Sequence, residues 1–217
     1  MQAIHGLVHG LLALVFDFMI PGEANMQITP TAMTATRSVW PITPIGFARD
    51  PTHLPTQAFA GVINEALLLQ RQPLIRGLPE DRFQWLLNLY FPGLLLTNGE
   101  TSPGLDDTHG DEFSDLARLL LVFRAEAGEP SMWLCYAIAS AAMGENHLWQ
   151  DMGLPNRRIL SDLLQRYFPT LAAKNTRDMK WKKFFYRQLC EQALLPICKA
   201  PHCADCYDYS VCFWSES

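Results

Sequence analysis

Four cysteines near the end of the sequence are spaced Cys198-x4-Cys203-x2-Cys206-x5-Cys212. Spacings this short do not suit a framework of long disulfide loops, but they let one compact loop aim several thiolates at a common centre. The first three follow the C-x4-C-x2-C run that wraps an iron-sulfur cluster in plant-type ferredoxins, although the fourth ligand lies much further away there. Four thiolates also satisfy tetrahedral zinc, but paired C-x2-C knuckles are present on one side only. On spacing alone the cluster and zinc readings both stay open, and disulfides come third. Cys190, eight residues before Cys198, is either a fifth thiolate near the centre or a buried, inert cysteine. His202, beside Cys203, either ligates or sits at the surface.

A second group lies just upstream, in the run Arg177-Asp-Met-Lys180-Trp181-Lys182-Lys183-Phe184-Phe185-Tyr-Arg187. On a helix, Trp181, Phe184, Phe185 and Gln188 share one face, while Lys180, Lys183 and Arg187 share another. The apolar face anchors. The basic face lowers the pKa of nearby thiols, offsets the charge of an anionic cluster, and attracts an oxyanion such as molybdate or an acidic partner; a plain solvated face is the ordinary alternative. His147 stands in Asn146-His-Leu-Trp149-Gln-Asp151, where it reads either as a hydrogen-bonded core histidine or as a metal ligand oriented by Asp151. His109 with Asp106, Asp107, Asp111 and Glu112 makes a further acidic group, of a kind that usually faces water. No Gly-rich phosphate loop, G-x-S-x-G elbow or H-E-x-x-H is present, so hydrolase and NTPase chemistry find no support.

Composition sets the frame for these groups. A length of 217 residues buries a sizeable core without staples, so metal is not needed merely to fold the chain. The formal net charge of -5 argues against a general nucleic-acid binder. Of six cysteines, all but Cys135 fall at one end, unlike a secreted disulfide scaffold. The apolar stretch from Ile4 to Ile20 carries His5, His9 and Asp17 without a preceding basic residue, so it fits neither a signal peptide nor a membrane span. A cytoplasmic protein, with thiols kept reduced, is expected.

The elements that position these residues read as helices throughout. Residues 21–56, rich in Pro and Thr without an apolar period, read as a linker, so residues 1–56 form a loosely ordered extension. Its apolar start reads equally as a stretch upstream of a true beginning at Met26 or as an amphipathic helix. Residues 57–193 form an all-α body and residues 194–217 a cysteine-rich tail. Helices are expected over 58–71, 80–90, 111–124, 131–143, 156–167 and 178–193. The segment from Met132 to Met143 is apolar nearly all round, which marks the centre of a helical bundle and makes Trp133 and Cys135 core residues. Gly77-Leu-Pro-Glu-Asp-Arg82 leading into Leu86-Leu-Asn-Leu-Tyr-Phe-Pro92 resembles Gly153-Leu-Pro-Asn-Arg-Arg158 leading into Leu163-Leu-Gln-Arg-Tyr-Phe-Pro169. The bundle is read either as two related helical hairpins or as convergent helix punctuation.

Three runs in order, Asn146 to Leu154, Asn175 to Gln188 and the closing cysteine motif, resemble the NifQ family. The likeness is continuous from about Asp111 to Phe213 and weaker over residues 58–100. The resemblance implies a carrier, not an enzyme, that binds an iron-sulfur cluster and molybdenum as one centre. Such a carrier passes molybdenum to the scaffold and iron protein that build nitrogenase's iron-molybdenum cofactor. Carried over by residue, the family's cysteine motif falls on Cys198, Cys203, Cys206 and Cys212, and its basic-aromatic motif on Lys180 to Arg187. The competing class is a helical adaptor whose tail is stapled by structural zinc.

Overall fold

The computed structural model describes residues 43–99, 112–192 and 209–213. Contacts divide the chain into Met1–Ser38 and Val39–Ser217, and all of the described residues belong to the second unit. The apolar start, the His109 group apart from Glu112, and most of the tail lie outside the described residues.

Regular structure among the described residues is entirely helical: a 3-10 turn at Pro44–Phe47, then α1 (Leu54–Leu68), α2 (Glu80–Tyr90), α3 (Glu112–Phe123), α4 (Glu129–Ala142), α5 (Leu148–Asp151), α6 (Arg157–Tyr167), α7 (Pro169–Ala172), α8 (Trp181–Gln192) and α9 (Tyr209–Phe213). The six long helices fall where the periodicity puts them. α1 begins earlier than the apolar pattern suggests because Pro55, in the first turn, is compatible with a helix start and does not end one. The 3-10 turn packs on α1, so the folded part reaches back into the Pro/Thr-rich stretch.

The core follows from the apolar stripes. α4 buries Trp133 through Ala139 with Ala141 and Ala142, and α3 and α1 pack on it. α3 contributes Phe113, Leu116, Leu119 and Leu120, at the three- and four-residue steps of one helical face. α1 is buried on more than one side because Gly61 admits a second neighbour. A β-carbon built on Gly61 lies 2.0 Å from the Met152 carbonyl oxygen, and one on Gly153 lies 2.8 Å from Gly61 Cα. Two glycines at one crossing bring the chain after α5 onto the α1 backbone. That fixes where α5, and His147 ahead of it, must sit.

The repeat extends to local conformation. Gly77 and Gly153 both take positive φ, of 77° and 59°. Each leads into an 11-residue helix, and both helices end on a buried phenylalanine, Phe91 or Phe168, in nearly the same backbone conformation. Packing does not follow the repeat. α6 lies against α1, α5 and α7, whereas the strongest pairings of the bundle are α3 with α4 and α1 with α4. The likeness is thus one of helix punctuation, and it does not establish two hairpins.

α8 supplies the last core face. Trp181, Phe184, Phe185 and Gln188 are all buried, as the helical wheel requires, and the three aromatic rings contact one another. The helix starts at Trp181, later than expected, because Asp178 takes φ of 54° and its carboxylate and carbonyl are held by Arg157 at 2.8–3.1 Å. Lys180 consequently sits just before the helix, its carbonyl accepting from Phe184 N–H at 2.9 Å.

Candidate functional site

The tail returns to the head of α8. The backbone N–H of Lys180 donates to the carbonyl of Cys212 at 2.9 Å, and Cys212 and Phe213 pack at the edge of the core. The last cysteine of the motif therefore stands beside the basic run. Cys198, Cys203, Cys206 and His202 lie outside the described residues. Cys190 is half-buried in the last turns of α8, and Cys135 is fully buried in α4, where burial pushes its thiol up to about 12. Among the described residues no group of three or more His, Cys, Asp or Glu is placed to hold a metal ion.

Between α5 and the start of α8 lies a cleft of about 430 Å³ whose lining includes Glu145, His147, Lys180, Lys182, Lys183 and, from the tail, Val211. Residues far apart in sequence meet here for a physical reason. The Gly61–Gly153 crossing fixes α5 on α1, the aromatic face fixes α8 on the core, and a buried ion pair ties the two together. Lys182 Nζ donates to an Asp151 carboxylate oxygen and, at 2.8 Å, to the Gly144 carbonyl. The side chains of Lys182 and Asp151 are only 15% and 6% exposed. Asp151 also accepts from the backbone and side-chain N–H groups of Asn146 at 3.0 and 3.1 Å. Its carboxylate fills the space next to Gly144, where a β-carbon would lie 2.4–2.6 Å from it.

This overturns the pairing expected of Asp151. It does not orient the His147 ring; Asn146 and Lys182 take its oxygens instead. His147 is held through its backbone, whose N–H donates to the Gln150 side chain at 3.1 Å. The basic run also divides. Lys180 and Lys183 line the cleft with His147, and neither has a carboxylate partner among the described residues. Arg187 is turned to Glu191 at 2.8 Å, one helical turn on, and does not line the cleft. Lys182 escaped the helical-wheel reading because its role depends on Asp151, thirty-one residues away in sequence. No local pattern signals such a pair.

A helical body to which the described end of the tail returns at Cys212, beside a lysine-lined cleft, defines an all-α protein. A family model described as NifQ matches residues 58–214, and the chain belongs to the NifQ family. It is 36% identical over 158 residues to Protein NifQ of Azotobacter vinelandii, covering 66% of this chain and 80% of that protein. It is 44% identical over 95 residues to Protein NifQ of Rhodobacter capsulatus, covering 43% of this chain and 53% of that one. A NifQ homolog of Sinorhizobium fredii is 38% identical over 139 residues, with 64% and 60% covered. No solved structure matches the chain. Membership of the family gives the protein a role in nitrogen fixation. Among the described residues no helix is long and apolar enough to cross a membrane.

Proposed function

We propose that this protein is a metal carrier that gathers Cys198, Cys203, Cys206 and Cys212 around an iron-sulfur cluster, takes up molybdenum there, and donates it for nitrogenase iron-molybdenum cofactor assembly. The observation that carries the reading is the Lys180–Cys212 hydrogen bond, which brings the end of the cysteine motif to the lysine-lined cleft. The donor set suits the cargo, since soft thiolates select iron-sulfur units over hard, oxygen-preferring metals. Bound through these thiols, such a cluster would offer sulfide ligands for molybdenum. The chain's own part is to hold and to balance. Core packing of Trp181, Phe184 and Phe185 anchors the segment leading into the tail, while Lys180 and Lys183 place positive charge beside a thiolate centre. A site at the edge of the body can be presented to an assembly scaffold or to the nitrogenase iron protein in the cytoplasm without opening the core. The role assigned is transfer and not turnover, as the family resemblance implies.

Anaerobic purification of the wild-type chain and of Cys203→Ala and Cys206→Ala tests this. The wild type should be brown, with visible charge-transfer absorption and with iron, sulfide and molybdenum by elemental analysis. Both variants should lose iron and molybdenum while keeping their helical circular dichroism, because the core is complete without the tail centre. A colourless zinc-containing protein, or collapse of helicity in the variants, would establish a zinc-stapled adaptor instead.

A further inference from the structure

We propose that the cleft between α5 and α8 is a binding site for a tetrahedral oxyanion, received by Lys180, Lys183 and His147 as a station separate from the tail thiolates. The identity of the natural anion, molybdate, rests on the carrier reading above; the site itself rests on the geometry. Its cations are unspent, since Lys180 and Lys183 have no carboxylate partner among the described residues. The third lysine is different in kind. Lys182 is buried against Asp151 and Gly144, so it acts as a strut that fixes the cleft floor, leaving the anion to its two neighbours. His147, at the head of α5, lines the cleft with them from the opposite element. A tetrahedral anion needs donors from several directions, and a cleft between two elements provides them where one helix face does not.

The position of the tail gives the site its purpose. Val211 forms part of the wall and the Cys212 carbonyl is bound to Lys180 N–H, so an anion held here lies next to the end of the thiolate motif. A dianion approaching thiolates meets like-charge repulsion, and two lysines within a Debye length of about 8 Å offset it. Glu145, on the same rim, keeps the net positive charge modest. Binding is accordingly reversible, as handing on the anion requires.

Titration calorimetry of the metal-free full-length protein with sodium molybdate at low ionic strength tests the site apart from any cluster. Wild type should bind one molybdate, displaceable by sulfate and weakened by added chloride. Lys180→Gln with Lys183→Gln should weaken binding by about tenfold or more, the loss expected for charge-assisted hydrogen bonds. His147→Ala, which removes a wall of the cleft, should weaken it as well, whereas Arg187→Gln should leave it unchanged. Absence of saturable binding, wild-type affinity in the double lysine variant, equal weakening by Arg187→Gln, or failure of sulfate to compete would each overturn the proposal. Iron content after anaerobic reconstitution separates the two readings. Cleft binding without iron uptake would leave the site standing and remove the carrier, and iron uptake without cleft binding would do the reverse.

Discussion

At the scale of single residues, the Asp151–Lys182 pair has the largest consequences. Two charges so little exposed to water persist because each is hydrogen-bonded: Asp151 to Lys182 and two Asn146 N–H groups, Lys182 to Asp151 and the Gly144 carbonyl. Such a pair is weak evidence for net stability, but breaking it strands the surviving charge. Asp151→Ala should therefore cost about 3–5 kcal/mol in urea unfolding, whereas Asp151→Asn combined with Lys182→Met should cost clearly less than the sum of the two single changes. Additive losses would show that the pair is not coupled. Cys135 shows the opposite situation, a lone thiol that burial keeps protonated.

At the scale of elements, the cleft depends on one backbone crossing. α1 and the turn after α5 approach so closely at Gly61 and Gly153 that a side chain on either has no room. Gly61→Ala pushes a methyl group into the Met152 carbonyl, and because that neighbour is backbone it must move with its element. Destabilisation of about 1–3 kcal/mol or more is expected from overpacking, together with a displaced α5. Thermal unfolding measures the first, and loss of molybdate affinity in the folded variant measures the second. Gly46→Ala, where the nearest atom to an added β-carbon is 3.8 Å away, is the matched control and should leave both unchanged.

At the scale of the whole molecule, the protonation of the core sets a limit on alkaline stability. Burial raises Cys135 from 9.0 to about 12, and it is also the main cause of the upward shifts of Tyr90, Tyr136 and Tyr186 from 10.0. The unfolded chain releases these protons first, so it binds fewer protons than the native state in that range and stability falls as pH rises. The contribution is complete below the unfolded value near 9.0 and is lost progressively toward 12. Urea midpoints measured from about pH 8 to about pH 11 should decline, and Cys135→Ala should shallow the first part of the decline. A flat profile would mean that these groups ionise without opening the core.

The helices and their apolar faces were legible in the sequence because they are local. Spacings of three and four residues specify the buried stripes of α3 and α8, all-round apolarity specifies α4, and Pro with Gly marks the ends. Of the cysteine motif only Cys212 is among the described residues, and it stands beside Lys180 in the basic run ahead of the tail. What the sequence could not give is which residues converge across long separations. The short helices α5 and α7 carry too few residues for a period to register. Only tertiary packing set Lys182 on Asp151, carried Val211 and Cys212 back to Lys180, and placed His147 opposite two lysines. Each of these depends on the Gly61–Gly153 crossing and the aromatic anchoring of α8. Those are properties of how faces meet, and a pattern along one chain encodes the faces without encoding their meeting.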